Sequence, residues 1–315
     1  MDNKFKIGCT SDKIWNYNKL LDFLIVNQNT HIELTVDPEA ICLENLGLYN
    51  LLDKFSFTQV NIITWNPLEK HNKYNILYKG KNSWFTSIKK IDTSLHTWNH
   101  HKVFYCLFGR PTASRLGLCA HLYNHYKEKS HLHFLATTNV DELSQIELDK
   151  LLNYDIHSIG PAGILIKQLP LLLSSSALYT KFNGYDFSDP LTAYYQDILI
   201  DIVAESHVAG NTFFPTEKTI RPMWLKKPFI MFASKNYLDY LHQMRFKTFC
   251  NFWSEEYDGY EGKERYVRIL ELIDNLAQKS TIELDQMYQG MQEILDYNYN
   301  LLVKQNYNNN ITYIK

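Results

Sequence analysis

The chain has 315 residues, of which 45% are hydrophobic, and this combination excludes a disordered protein and allows two domains with buried cores. The formal net charge is -2, so no overall positive charge identifies a nucleic-acid-binding protein, although a local basic groove is compatible with it. Five cysteines without a CxxC pair indicate free thiols in a reducing compartment, not a disulfide framework or a zinc site.

The sequence contains no segment of the kind found in signal peptides or membrane-spanning helices. The first residues, MDNKFKIGCTSDK, lack an apolar stretch. The longest apolar run, GILIKQLPLLL, is short and is interrupted by Lys167 and Pro170. We therefore expect a cytoplasmic protein without a transmembrane segment.

Residues 4–98 alternate between strand and helix patterns, which favours a parallel sheet with helices packed on it. The predicted strands are FKIGCT, HIELTV and QVNIITWN. The first predicted helix opens with Ser11-Asp12 as a cap, and the second covers LENLGLYNLLDKF. The polar segment 79–101 is a predicted linker, so we expect a first Rossmann-like domain at 1–98.

A second alternation of strands and helices begins at residue 102. The predicted strands are KVFYCLF, HLHFLATT, KPFIMFA and the short KTFCNFW. The helices are predicted at 115–128, 140–154, 236–246, 261–276 and 281–304. The chain is therefore expected to be an α/β protein with two Rossmann-like domains and a cleft between them. The second domain is placed at 99–276, and a C-terminal helix and tail at 277–315.

The segment TFFPTEKTIRPMWLKKPF is the strongest candidate for a site. Thr216 is predicted to cap a helix that runs to about Leu225, with Glu217 in the favourable first turn. A well-capped helix explains these two residues without any ligand. Lys218 and Arg221 are cations near a helix start, where the dipole disfavours them, and a bound anion such as a diphosphate would explain both.

The arginines indicate where anion chemistry would lie, because all six fall between residues 110 and 268. Arginine presents a fixed bidentate fork that suits phosphate and carboxylate groups. Arg110 and Arg115 belong to the turn and helix start that follow KVFYCLF, and in doubly wound sheets this first turn faces the ligand crevice. The alternative is an ordinary surface turn with Ser114 as the N-cap.

Several common site motifs are absent from the sequence. There is no GxGxxG, GxxxxGK[ST] or GxSxG, which removes support for a Rossmann dehydrogenase, a P-loop protein and a serine hydrolase. His121 and His125 lie four residues apart, but the glutamate of an HExxH motif is missing. No DxD pattern for a divalent metal with a nucleotide diphosphate occurs either. We therefore expect neither a metal nor a cofactor.

One combination of motifs resembles the donor-nucleotide motif of α-1,3-fucosyltransferase-like glycosyltransferases. It consists of Glu205-Ser206, then Thr216-Glu217-Lys218, a helix, and Lys227-Pro228-Phe229. Upstream, KVFYCLFGRPTASRLGLCAHL resembles the second-domain entry of that family, so the resemblance covers roughly residues 100–270. The pattern TEKTxxP…PF…FxTF…YD is also similar to that of uncharacterised viral proteins.

The resemblance implies a GT-B architecture, in which residues 1–98 form the acceptor domain and 99–276 the nucleotide-sugar domain. It implies a metal-independent transferase that uses a nucleotide-sugar donor and a glycan or other hydroxyl acceptor. In this family, Lys218 and Arg110 or Arg115 would hold the diphosphate. Glu217 would bind the ribose, and Glu205 would lie near the donor sugar. The cations would stabilise the charge that develops on the leaving diphosphate.

The catalytic base is less well defined by the resemblance. An inverting enzyme needs a carboxylate within hydrogen-bond reach of the acceptor hydroxyl. Asp37 and Glu39, just after HIELTV, are candidates in the first domain, and the alternative is a turn with solvated acids. Two departures weaken the assignment of the acceptor site. The first domain is short for this architecture, and Met244-Arg245-Phe246 stands where relatives often have a glycine.

Two other hypotheses remain beside the glycosyltransferase. The first is a non-catalytic binding or assembly protein that keeps the fold without the chemistry, using its 22 tyrosines, 17 phenylalanines and six tryptophans for a protein or glycan surface. The second is a DNA-base glycosyltransferase, which would require a basic groove in residues 1–98. The near-neutral charge disfavours this nucleic-acid hypothesis without excluding it.

Overall fold

The protein consists of two compact units in the computed structural model. The described residues are 3–10, 13–37, 40–79, 96–109, 111–135, 140–173 and 190–308. Those up to residue 79, together with 207–214, form the first unit, and the others form the second. The predicted domain boundaries after residues 98 and 276 stay predictions, because the two units are distinguished by compactness alone.

The first unit is built on a five-stranded sheet. Its strands are β1 (Lys4–Thr10), β2 (Lys13–Ile14), β3 (His31–Asp37), β4 (Gln59–Thr64) and β5 (Asn75–Tyr78). Their order in the sheet is β2-β1-β3-β4-β5. The pairs β1–β3, β3–β4 and β4–β5 are parallel, and the short β2 folds back antiparallel on β1.

Helices α1 (Tyr17–Val26) and α2 (Leu48–Leu52) complete this unit, and both are shorter than predicted. The first helix begins at Tyr17 because Lys13–Ile14 pairs with the end of β1, and the proposed cap Ser11-Asp12 lies outside the described residues. The second begins after Gly47, whose φ of 74° interrupts the helical backbone. The buried core contains alternate residues of the strands and the apolar face of α1.

The segment 207–214 is tied to the first unit by hydrogen bonds. The amide of Asn66 donates to the carbonyl of Asn211 at 2.8 Å, and the hydroxyl of Thr212 donates to the carbonyl of Ala40. Gly210 has a φ of 77°, and a Cβ at this position would lie 2.8 Å from the Cβ of Cys42. These contacts make the segment an integral part of the first unit.

The second unit is built on a four-stranded parallel sheet. Its strands are β6 (Phe104–Phe108), β7 (Ser130–Phe134), β8 (Ile200–Ala204) and β9 (Phe229–Phe232), in the order β7-β6-β8-β9. Every residue of β6, β8 and β9 is buried, as expected of a parallel sheet covered on both faces. The prediction of an α/β protein is thus confirmed, and this sheet is compatible with a Rossmann-like fold.

The helices of the second unit cover its sheet and continue to the C-terminal region. They are α3 (Ala113–His125), α4 (Val140–Leu151), α5 (Ile159–Ile166), α6 (Glu217–Trp224), α7 (Tyr237–Gln243), α8 (Gly262–Ala277) and α9 (Thr281–Asn308). The crossover from β6 to β7 and that from β8 to β9 run in opposite directions across the sheet. Because such crossovers are right-handed, α3 and α6 lie on opposite faces. Accordingly, α3 packs against α5 and α8, and α6 packs against α9.

One predicted element of the second unit was wrong, and one observed helix was not predicted. The segment 247–253 forms turns instead of a strand, since its aromatic residues pack inward from irregular backbone. The helix α5 was not predicted, because IGPAGILI has almost no polar residue to reveal a helical period. Among the described helices, none is both long enough and apolar enough to cross a membrane.

Candidate functional site

The second sheet has a topological switch point between β6 and β8. From there the chain proceeds to β7 on one side and to β9 on the other. In open α/β sheets, ligands bind outside the carboxyl ends of the strands at such a point. The pairing of β6 with β8 is confined to Phe104–Ile200 and Tyr105–Asp201, near the amino ends of the two strands. The carboxyl ends of β6 and β8 therefore border the candidate site.

Arg115 links the start of α3 to the carboxyl end of β8. Its backbone N–H donates to the side chain of Thr112, which is the N-cap of α3 in place of the proposed Ser114. Its guanidinium donates to the carbonyl of Ala204 at 3.0 Å and to that of Glu205 at 3.5 Å. Arg115 is only 4% exposed, so these donors are directed at the protein. This geometry favours a structural role for Arg115 at the switch point.

Glu205 is the first residue after β8, and its carboxylate holds the start of α6. It accepts hydrogen bonds from the backbone N–H of Thr216 at 3.1 Å and from the Thr216 hydroxyl at 2.7 Å. The hydroxyl of Thr219 donates to the same carboxylate at 2.6 Å. Glu205 is 3% exposed, and this bonding favours a role in positioning α6.

The first turn of α6 carries the predicted cap and a lysine at the border of the site. Thr216 accepts a hydrogen bond from the backbone N–H of Lys218, which confirms it as the N-cap. The ammonium of Lys218 lies 2.6 Å from the carboxylate of Glu217, 3.1 Å from the Thr216 hydroxyl and 3.4 Å from that of Ser206. The side chains of Lys218 and Glu217 are 19% and 21% exposed, so both are within reach of a ligand.

The charge of Lys218 also acts on Glu217. Burial raises the pKa of the Glu217 carboxyl, but the neighbouring ammonium of Lys218 outweighs this effect and holds the pKa below its ordinary value. Glu217 is therefore an anion at neutral pH. The ion pair presents one carboxylate acceptor and one ammonium donor beside the N-terminus of α6.

Arg221 does not lie at the start of α6, where it was predicted from the sequence. It belongs to the last turn of α6, where the helix dipole favours a cation, so the argument from an unfavourable dipole was wrong for this residue. The side chain is 2% exposed. Its guanidinium donates to the hydroxyl of Tyr195 and lies 3.5 Å from the carboxylate of Asp201. Arg221 therefore forms a buried ion pair with Asp201 of β8.

Three residues of this region were missed in the sequence. Asp201 is fully buried within β8, and the signal was a single acid inside the otherwise apolar run ILIDIVA. Tyr195 donates to Asp201, and Tyr237 lies 2.9 Å from the Thr219 hydroxyl. Nothing in the local pattern distinguishes these tyrosines from the other tyrosines of the chain.

The remaining predicted site residues cannot be placed with side-chain geometry. Arg110 and Glu39 lie outside the described residues, and Asp37 is the last residue of β3, with its side chain likewise outside them. In the described part of the chain, no three His, Cys, Asp or Glu side chains are grouped in a way that could hold a metal ion. Lys218, Glu217, Thr216 and Glu205 are the predicted residues that the structure brings together.

Comparison with known proteins gives no relative for this chain. No family model, curated protein or solved structure matches it. The glycosyltransferase resemblance therefore depends on the motifs of the sequence alone.

Proposed function

We propose that this chain is a glycosyltransferase that transfers a sugar, without a metal ion, from a nucleotide-sugar to a glycan or another hydroxyl acceptor in the cytoplasm. The observation that carries the proposal is the grouping at the switch point of the second sheet. There the N-terminus of α6, the ammonium of Lys218 and the hydroxyl of Ser206 meet within one hydrogen-bonded group. The positive end of a helix dipole, a cation and a hydroxyl are features that favour binding of a diphosphate.

The residues of this group have separate roles in the proposed mechanism. Lys218 stabilises the negative charge that develops on the leaving diphosphate, because a fixed cation lowers the energy of that transition state. Glu217 accepts hydrogen bonds from the ribose hydroxyls. Glu205 positions Thr216 and the helix start, and Arg115 keeps the end of β8 in place.

The acceptor side of the reaction belongs to the same proposal. The motif resemblance implies a two-domain GT-B architecture in which the first unit receives the acceptor. Asp37 or Glu39 would then be the carboxylate that removes the proton of the acceptor hydroxyl. Asp37 ends β3, and the carboxyl end of a parallel strand is the usual place for a group of this kind.

A thermal-shift panel tests the donor site. Wild-type protein is mixed with UDP, GDP, ADP or CDP, and the matched variants Lys218→Met and Lys226→Met are measured alongside. Lys226 has a similar exposure, 21%, and also forms an ion pair, but with Asp296 of α9. We expect one nucleotide to raise the Tm of the wild type and of Lys226→Met by several degrees, because binding to the folded state alone stabilises it. The shift should disappear in Lys218→Met.

A non-catalytic binding protein is the second candidate, and one observation favours it. The guanidinium groups of Arg115 and Arg221 are directed at protein oxygens, so neither adds an exposed positive charge at the proposed diphosphate site. Absence of a shift with all four nucleotides, together with no release of sugar from UDP-, GDP- or ADP-sugars, would favour this candidate over the enzyme.

A further inference from the structure

A pocket of about 340 Å³ lies beside α8, in the second unit, and we call it the α8 pocket. It is lined by the segment 252–257 and by one face of α8 and the residues that follow it. On that face, Arg268, Leu272, Asn275 and Lys279 succeed one another at helical spacing. The volume falls within the range of small-molecule sites in proteins.

The residues that line the α8 pocket are not those at the switch point. Trp253 packs on Phe249, which packs on Phe229, the first residue of β9. On the other side, Lys129 immediately precedes β7 and donates to the carbonyl of Ala277, the last residue of α8. Phe249 and the end of α8 are therefore anchored near the amino ends of β9 and β7, and no residue that lines the pocket belongs to the group around Lys218.

The wall of the pocket formed by 252–257 is aromatic. Phe252, Trp253 and Tyr257 line it within six residues of sequence. Phe252 is held in place by α9, where a Cβ at Gly290 would lie 2.8 Å from its ring. Trp253 and Tyr257 are buried, at 7% and 2% exposure, and are therefore fixed in position. A preformed aromatic wall binds flat apolar faces with little loss of conformational entropy.

The charges around the pocket are balanced. On the α8 side, Glu271 carries a negative charge and Arg268 and Lys279 carry positive charges, and Glu256, on the aromatic segment, adds the second negative charge. Asn275 adds an amide that both donates and accepts hydrogen bonds. Acids, bases and an amide around one small volume suit a ligand that has many hydroxyl groups and no net charge.

Two donors of the lining residues lack a partner in the described structure. They are the indole Nε1 of Trp253 and the Nε of Arg268. A buried N–H without an acceptor reduces stability. Arg268 is 35% exposed, and its guanidinium lies 4.1 Å from the centre of the Tyr260 ring and 3.1 Å from the carboxylate of Glu264.

We infer that the α8 pocket binds the pyranose ring of a neutral carbohydrate, with the CH face of the ring on the aromatic wall and its hydroxyl groups on Glu271, Asn275 and Arg268. A pyranose has one apolar face and a rim of hydroxyls, which matches the two walls. The inference does not depend on the donor site, because none of these residues belongs to the group around Lys218.

The test uses the full chain and ligand-observed saturation-transfer NMR. The probes are the methyl glycosides of glucose, galactose, mannose and N-acetylglucosamine, with inorganic phosphate and adenosine as alternative ligands. We expect at least one glycoside to bind and to bind at least about fivefold more weakly to Glu271→Ala and to Asn275→Ala, since each loses a hydrogen bond. Both residues are exposed on α8, so the variants should keep the Tm of the wild type.

Two control variants distinguish binding in the α8 pocket from binding elsewhere on the protein. Glu261→Ala alters an exposed acid at the other end of α8, and Lys218→Met alters the proposed donor site; both should bind the glycoside as the wild type does. The inference is overturned if none of the glycosides binds, or if their binding is unchanged in Glu271→Ala and Asn275→Ala. Pocket-dependent binding of phosphate or adenosine without any glycoside would overturn it as well.

Discussion

The carboxylate of Glu205 accepts hydrogen bonds from both the backbone and the side chain of Thr216, eleven residues later in the chain. One bond fixes the backbone before α6, and the other fixes the hydroxyl that caps it. The end of a buried strand and the start of the next helix are thus joined by a single acid. The position of Lys218 depends on these two hydrogen bonds, because Lys218 follows Thr216 by two residues.

Replacing Glu205 with leucine should destabilise the second unit. Four donors lose an acceptor at once, and a buried donor without a partner costs about 1–3 kcal/mol. We expect a total loss of roughly 3 kcal/mol, which lowers the Tm by several degrees for a domain of this size. Thermal unfolding followed by circular dichroism measures it, with the exposed Glu261→Leu as the control. Equal Tm values for the two variants would show that the carboxylate does not hold α6.

Two glycines in helices should respond in opposite ways to alanine. Alanine stabilises a helix interior by about 1 kcal/mol relative to glycine. At Gly163 in α5, nothing lies within 4 Å of the new Cβ, so Gly163→Ala should be stabilising. At Gly117 in α3, the new Cβ would overlap the Tyr266 side chain, which is fully buried and hydrogen-bonded to Ser158. Gly117→Ala should be destabilising by roughly 1–3 kcal/mol.

The comparison is made by urea denaturation of the two alanine variants and the wild type. The midpoint should rise for Gly163→Ala and fall for Gly117→Ala. A rise at both positions would mean that α3 and α8 are less closely packed at Tyr266 than the structure shows.

Arg265 should not tolerate lysine. Its guanidinium donates to the carbonyls of Met231 and Ser234 and to the carboxylate of Asp258 at 2.8 Å, so it holds the turn after β9 from several directions. Lysine cannot reproduce this fork. We expect Arg265→Lys to lose about 2–4 kcal/mol of unfolding free energy, because buried oxygens lose their partners.

The matched change for this prediction is Arg268→Lys on the same helix. Arg268 forms a partly exposed pair with Glu264, and pairs of this kind contribute less than about 1 kcal/mol. Chemical denaturation should therefore separate the two variants clearly. Similar losses in both would contradict the role assigned to the buried guanidinium.

Lys227 should make stability depend on pH in the alkaline range. The side chain is fully buried, and its ammonium donates to the carbonyls of Thr97 and Ile198. Burial lowers the pKa of Lys227 to about 7, whereas in the unfolded chain it has its ordinary value of 10.5. Between these two values the unfolded state binds the proton and the folded state does not. Stability from this group therefore rises as the pH rises through the window, and is constant below about pH 7.

The measurement compares the wild type with Lys227→Met, which cannot titrate. The difference in unfolding free energy, wild type minus variant, should increase by roughly 2 kcal/mol between pH 7.5 and pH 9.5. A difference that does not change with pH would show that Lys227 keeps an ordinary pKa in the folded protein.

The buried strands and the α6 cap were predictable because their causes are local. KVFYCLF and KPFIMFA are continuous apolar runs, as central parallel strands are, and Thr216 is a preferred N-cap type. The predicted helix end near Leu225 was confirmed for the same reason, since Leu225 is the C-cap. Interactions between residues that are close together in the chain can be predicted from the sequence.

The partners of the charged residues were not predictable, because the tertiary fold and not helical spacing brings them together. Arg221 pairs with Asp201, in a strand rather than on its own helix. Arg265 follows Glu261 at helical spacing, but its carboxylate partner is Asp258, in the turn before α8. The period of apolar residues along a helix shows which face of the helix is buried. The partner of a buried cation depends on which other segment of the chain packs against that face.

The discontinuity of the first unit has a consequence for how the chain folds during synthesis. All five strands of its sheet have been synthesised by residue 79. The hydrogen bonds from Asn66 to Asn211 and from Thr212 to Ala40, however, can form only after residues 211 and 212 have left the ribosome. By that point three of the four strands of the second unit, β6, β7 and β8, have already emerged. Vectorial synthesis usually lets an N-terminal domain finish folding first. Here the first unit can complete its folding only after most of the second unit has been synthesised. A nascent chain halted before residue 207 would have a first unit that lacks the segment 207–214.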